Sequence, residues 1–342
     1  MKKIPLIAVF FAIIILYAQA CSKTANPVVP ASSPTVVPSP TSTPGCKKWE
    51  KTEISPAAAA IKDSVSVVFQ SKIITLGGTG KNAGPVWVMP GSPDDPAEDN
   101  YLWVTITPEA QFGKRKGFAA AVFKKELWVT CGESEDGSHY NDAWSSAEGV
   151  TWTAVSEEAE FFKRSGHCAV VYNERIWIIG GGDKSNCFND IWSSGDGKGW
   201  EQRKKNDEEG FGRRKDFSAI VFNGRMWVIG GTDGKKVFND IWSSSNGTDW
   251  EQVTLSAKFG ARHSFNIALY KQRLWIAGGM GPGGKKYNDV WSSTDAILWE
   301  EVSDKAEFPP VYGHSLAAGF GKLYLIGGVT EKGMMKEMWV TR

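Results

Sequence analysis

Phe238-Asn239-Asp240-Ile241-Trp242-Ser243-Ser244 is followed, six residues on, by Trp250. The same pattern stands at Phe188–Ser194 with Trp200, at Tyr140–Ser146 with Trp152 and at Tyr287–Ser293 with Trp299. The copies are spaced by about fifty residues, a period that marks stacked repeats of one supersecondary unit.

Around the 238–244 copy the chain reads as four short strands. Phe217 to Phe222 alternates in polarity, and Asn223-Gly224 is a two-residue hairpin signal. Arg225 to Gly231 is a second strand, Asp240 to Ser244 a third, and Asp249 to Val253 a fourth after the turn Ser245-Asn246-Gly247. Further Gly pairs, or their equivalents, stand at Gly77-Gly78, Cys131-Gly132, Gly180-Gly181, Gly278-Gly279 and Gly327-Gly328. Six such copies predict an all-β, six-bladed propeller of four-stranded antiparallel blades. The last copy runs out at Arg342 without its fourth strand. Lys48-Trp49-Glu50-Lys51 matches Gly199-Trp200-Glu201-Gln202, so the strand near Trp49, within 47–53, is expected to complete the last blade and remove the open sheet edges. The chain has 16 Trp, and all fall into the second-, third- or fourth-strand registers, where they suit packing between blades.

The N-terminus reads as a targeting segment. Lys2 and Lys3 precede an apolar run from Ile4 to Leu16, too short for a convincing membrane span. Ala18-Gln19-Ala20 then leads to Cys21. Residues 1–20 resemble a bacterial lipoprotein signal, which implies lipidation of Cys21 and an extracytoplasmic, membrane-anchored protein at the periplasmic or cell surface. Ala18 and Gln19 depart from the usual residues of that signal. Residues 21–45 are a Pro/Ser/Thr-rich tether that cannot bury enough apolar surface to fold. Residues 46–342 form the propeller. The net charge of +1 gives no global field for nucleic acid, so membrane contact is expected through the lipid anchor only.

The paired glycines, the Trp before them and the Asn-Asp-x-Trp resemble kelch repeats over residues 47–342, as in the central domain of galactose oxidase. Ser194-Gly195-Asp196-Gly197-Lys198-Gly199-Trp200 also resembles the Asp-box turn of sialidase-type propellers. The first copy departs most, with Ile73-Ile74 in place of Trp and an insertion around Pro90 to Asp99. The resemblance implies a fold far more than an activity, since one propeller hosts many functions.

Topology puts the loops after the Gly pairs and the linkers between blades on one face, where function concentrates. There Arg115, Arg164, Arg214 and Arg262 each precede a first strand. Two readings are open. The arginines converge on the channel mouth and bind carboxylate, sulfate or phosphate, as arginines at this motif position of animal kelch proteins bind acidic peptides. Alternatively they belong to the repeat and bond neighbouring carbonyls. His167, His263, His314 and Tyr312 lie close by and complete the expected ligand-binding set. No metal motif and no cofactor motif is present.

The resulting expectation is a non-enzymatic extracytoplasmic binding module presenting a basic channel-mouth basin to an acidic protein segment or acidic glycan. Two alternatives stand beside it. One is a sugar-modifying enzyme, similar to a sialic-acid mutarotase or a sialidase, with Asp216, Glu133 or Glu135 as acid–base groups and Arg115, Arg164 and Arg214 as an arginine triad. The other is a structural surface protein. A raised-pKa carboxylate beside the arginines favours the enzyme, and an open, flat basic basin favours the binder. Catalytic residues are not identifiable. Export permits disulfides, and Cys131 and Cys168 end and begin strands of adjacent blades, within reach of a bridge.

Overall fold

The computed structural model describes residues 48–53, 61–80, 84–90 and 103–342. The leader, the tether, Cys21, Cys46 and the bulk of the insertion after Pro90 lie outside the described residues. What is described is all-β apart from one turn of 3-10 helix at Pro282–Gly284.

Six four-stranded antiparallel sheets form the blades. Blade 1 comprises Val65–Phe69, Lys72–Leu76, Val86–Pro90 and Val104–Thr107. Blade 2 is Ala119–Phe123, Glu126–Glu133, His139–Ser146 and Thr153–Ser156. Blade 3 is Cys168–Tyr172, Arg175–Gly182, Cys187–Ser194 and Glu201–Lys204. Blade 4 is Ser218–Phe222, Arg225–Thr232, Val237–Ser244 and Glu251–Thr254. Blade 5 is Asn266–Tyr270, Arg273–Ala277, Val290–Ser293 and Glu300–Ser303. Blade 6 is Ser315–Gly319, Lys322–Ile326, Glu337–Thr341 and, from the other end of the chain, Trp49–Glu53. First strands of successive blades touch, and that of blade 6 touches that of blade 1, so the ring closes around a central channel.

The closing strand pairs Trp49 with Thr341 and Lys51 with Trp339. Its register is held by an aromatic contact that every blade from the second to the sixth repeats. Phe112, Phe161, Phe211 and Phe259 meet Trp152, Trp200, Trp250 and Trp299 edge-on at 4.9–5.3 Å. Phe308 meets Trp49 in the same way at 5.2 Å. The N-terminal strand therefore occupies the fourth-strand position of blade 6 as the sequence predicts.

Local chemistry explains the blade. Asn223 and Gly224 both take left-handed φ, 49° and 70°, the pair of values that lets a two-residue turn follow the strand twist. Lys124-Lys125 and Asn173-Glu174 adopt the same conformation without glycine, so strand pairing overrides local preference there. At the Gly pair the register shifts between Ile229 and Gly231, and a Cβ on Gly231 would stand 2.6 Å from the Cβ of Phe217. In blades 2, 3 and 4 the bulge lets the large residue at the head of the first strand, Phe118, His167 or Phe217, wedge against the second strand. The hydrophobic core lies in layers between blades: Phe222, Trp227 and Ile229 of blade 4 share a cluster with Leu274, Ile276 and Trp291 of blade 5. Burying one such side chain is worth about 1.5–3 kcal/mol.

Candidate functional site

The four arginines do not converge on the channel. Each is at most 2% exposed and is clipped inside its own blade. Arg164 donates through Nη1 and Nη2 to the two carboxylate oxygens of Asp190 at 2.8 and 2.9 Å, through Nη1 to Gly180 O at 2.8 Å and through Nε to Phe162 O at 2.9 Å. Its guanidinium lies 5.3 and 5.0 Å from the ring centres of Phe161 and Phe188. Arg214 with Asp240, and Arg262 with Asp289, repeat the whole pattern. Arg115 grips Asp142 and the Cys131 carbonyl. In every case the same Asp accepts the indole N–H of the Trp two residues on, at 2.8 Å. A guanidinium buried with most of its donors committed inside the blade does not reach a ligand in the channel. The expected basic basin of Arg115, Arg164, Arg214 and Arg262 is thus corrected, and so is an arginine triad for a sialidase-like enzyme.

The chain contains its own control. Blades 1 and 6 carry Ile61 and Val311 at the arginine position, and there the Asp is replaced as well, by Pro85 and Glu337. In blade 1 both charges are gone, and in blade 6 Glu337 keeps its charge against Lys51 at 3.0 Å, since a charge left alone in the blade is costly.

His167 and His314 are also structural. They occupy the wedge position that Phe118, Phe217 and Phe265 fill in other blades, and are 5% and 1% exposed. The His167 Nε2 pairs with Thr130 Oγ1 of blade 2 at 2.9 Å. Burial pushes the His167 imidazole down to about 3 and that of His314 to about 4, so both are neutral at ordinary pH. The described cysteines, Cys131, Cys168 and Cys187, are free. Cys168 does not reach Cys131, because its thiol turns the other way and donates to Phe217 O of blade 4 at 3.2 Å. Burial pushes that thiol up to about 12.

The accessible mouth is built one and two residues further along. The residue after each arginine position is Lys62, Lys116, Ser165, Lys215, His263 or Tyr312, and each pairs with the loop after the Gly pair of its own blade, at Thr79, Glu133, Gly182, Thr232, Met280 or Val329. His263 and Tyr312, of the expected set, therefore sit on this rim. Lys116 Nζ lies 3.2 Å from Glu133 with its side chain 40% exposed. Lys62 Nζ is 3.9 Å from Asp63. His139 Nε2 comes 3.8 Å from Glu133. Burial and the neighbouring Lys215 lower the pKa of His263.

Below the rim runs an inner ring: Asp63, Gly117, Gly166, Asp216, Ser264 and Gly313, all left-handed with φ between 51° and 63°. Backbone N–H groups bond the preceding carbonyl around it, from Gly166 to Gly117 at 2.7 Å, and from Asp216 to Gly166, Ser264 to Asp216, Gly313 to Ser264 and Asp63 to Gly313 at 2.8 Å. This collar stitches the blades together and holds the mouth rigid. It opens into a cavity of about 240 Å³ lined by the heads of all six first strands. Burial raises the proton affinity of both Asp63 and Asp216; at Asp63 the charges of Asp216 and Glu133 add to it and Lys62 and Lys116 oppose it, and at Asp216 Glu133 adds while Lys215 and Lys116 oppose. Asp216 and Glu133, named from sequence position alone, thus belong to the mouth. Lys62, Asp63, Lys116 and Lys215 are not among the candidates of the sequence reading, although Lys116 and Lys215 each directly follow an arginine that it names.

Among the described residues no group of three or more His, Cys, Asp or Glu is placed to hold a metal ion. The family model of the KLHDC2/KLHL20/DRC7 Kelch-repeats domain matches residues 64–279 and, in an overlapping match, 117–328. No curated protein matches the chain.

Proposed function

The chain belongs to the kelch-repeat family, and from that premise we propose that its propeller is a non-enzymatic interaction module that takes an acidic protein segment at the loop-side mouth of the channel. The observation that carries the reading is the rim: three accessible lysines, Lys62, Lys116 and Lys215, with His263 and Tyr312, stand on a collar tied by backbone hydrogen bonds from blade to blade. Phe162, 67% exposed beside Arg164 on the same face and stacked on Phe188, offers an apolar anchor of the kind that dominates interfaces.

The test is anisotropy of a fluorescein-labelled hexaglutamate peptide titrated with the protein. Binding should weaken with salt and fall roughly tenfold or more when Lys62, Lys116 and Lys215 become Gln, on the scale of lost charge-assisted bonds. Indifference to the triple substitution refutes the reading, and tighter binding of a chondroitin sulfate oligosaccharide transfers the site to an acidic glycan. A second reading, a sugar-modifying enzyme in the manner of a sialic-acid mutarotase, is favoured by one observation, the raised proton affinity of Asp216 beside Glu133. It requires anomer interconversion of an acidic sugar that Asp216→Asn abolishes.

The module's place is proposed from its N-terminal sequence: outside the cytoplasm, at the end of the tether, on a lipidated Cys21. Incorporation of a labelled fatty acid, lost in Cys21→Ser, is the corresponding test.

A further inference from the structure

The two tiers of the mouth differ in charge. The rim carries Lys62, Lys116 and Lys215, whereas the collar beneath carries two carboxyls, Asp63 in blade 1 and Asp216 in blade 4. Three blades separate them in either direction around the closed ring, so they oppose each other across the channel. Each carboxyl lies against the ring glycine of the preceding blade. A Cβ on Gly313 would stand 2.8 Å from Asp63 Oδ1, and one on Gly166 would stand 2.5 Å from Asp216 Oδ1. The glycines therefore keep both seats open.

Among the described residues neither carboxyl has a hydrogen-bond donor. Asp63 has only the Lys62 ammonium at 3.9 Å, beyond hydrogen-bond distance. On the channel wall below, the buried Ser64 Oγ lines the cavity without a protein partner, and the neighbouring polar groups bond mainly to one another. Ser218 Oγ donates to Phe265 O, Asn266 Nδ2 donates to His314 O, Ser315 Oγ accepts from Ser66 N, and Ser66 Oγ is bonded to Thr75. Both carboxyls are half-buried and open to the channel, so a guest that brings N–H groups and positive charge can supply the donors that the protein does not. A divalent cation fits less well, because it needs several oxygen ligands where the mouth offers two carboxyls beside three lysines.

Resting on the interaction-module reading, we infer that the bound acidic segment enters cation first, seating a primary ammonium between Asp63 and Asp216 while its carboxylates meet the lysines of the rim. The ligand is then of mixed charge, its ammonium being either a free amino terminus or a lysine. Seating it draws both aspartates into the ionised form, so affinity rises with pH through their titration. Lys62, Lys116 and Lys215 and the carboxylate of Glu133 face the pair throughout, and His263 stands beside Lys215.

Three peptides test this by calorimetry on the intact protein: Ala-Glu-Glu-Glu-amide with a free amino terminus, the same peptide acetylated, and an acetylated Lys-Glu-Glu-Glu-amide. The inference expects the acetylated Ala peptide to bind roughly ten- to hundredfold more weakly than the better of the other two, the range for hydrogen bonds to charged groups. Which of those two is better identifies the source of the ammonium. The advantage should vanish in Asp63→Asn/Asp216→Asn, which keeps side-chain volume; if that variant does not fold, the three wild-type titrations decide alone. Equal binding of all three overturns the ammonium seat and leaves the acidic-segment reading intact. No binding of any peptide overturns both.

Discussion

Replacing Asp190 by Asn keeps the volume of the side chain and removes one charge from a pair in which Arg164 is fully buried and Asp190 is 1% exposed. The guanidinium then stays in the blade with two carbonyls and two aromatic faces but no counter-charge. Stranding one member of a buried pair costs about 3–5 kcal/mol. For a domain of this size that lowers the melting temperature by about 5–8 °C. Arg164→Ile, which copies Ile61 of blade 1, should cost a similar amount by stranding the carboxylate. The double variant removes both charges and should lose about 2–3 kcal/mol less than the sum of the singles. Urea unfolding of the four proteins, followed by Trp fluorescence, closes the cycle. Additive losses, or an Asp190→Asn loss below about 1 kcal/mol, would falsify the clip as a structural unit and return Arg164 to the list of groups free for a ligand.

Three further outcomes follow from other parts of the fold. Gly166→Ala places a Cβ 2.5 Å from Asp216 Oδ1 at a φ of 63°, and should destabilise by about 1–3 kcal/mol; Asp216→Ala should restore only the steric part, leaving the backbone strain visible in a melting curve. Trp49→Ala empties the closing strand's contact with Phe308 and should cost about 3–5 kcal/mol, with a melting transition that splits or broadens if the ring opens first. The His167 imidazole is held down to about 3 against an unfolded value near 6.5, so between those pH values the unfolded chain binds the extra proton. Its contribution to stability is full above about 6.5 and is lost as pH falls towards 3. His167→Phe, copying Phe217, should flatten the acid limb of the stability–pH curve by about one proton; an unchanged slope refutes the buried neutral imidazole. Asp63 and Asp216 act with the opposite sign, since their raised affinity favours the fold at low pH and that contribution is lost as pH rises.

The blade was legible because its signals are local and repeated. Asn223-Gly224 specifies a turn, the Gly pair specifies a bulge, and the Asn-Asp-x-Trp copies set the period. Trp49 could be assigned to blade 6 because the last copy lacked a fourth strand and the first residues of the propeller supplied one. The arginines show where such reading stops. Arg214 and Lys215 are adjacent cations, and only the side of the strand each occupies decides that one is sealed against Asp240 and the other meets solvent. A shift of one residue exchanges the two sides of an extended chain. The joint loss of Arg and Asp in blade 1, to Ile61 and Pro85, is the signal in the sequence that pairs them. The opposition of Asp63 and Asp216 has no such signal. They are far apart along the chain, and nothing short of closing six blades into a ring sets them face to face. Sequence alone determines the propeller, because each blade is a local unit written several times over. The tertiary structure decides the site, because the mouth is assembled from one or two residues of every blade and exists only where all six meet.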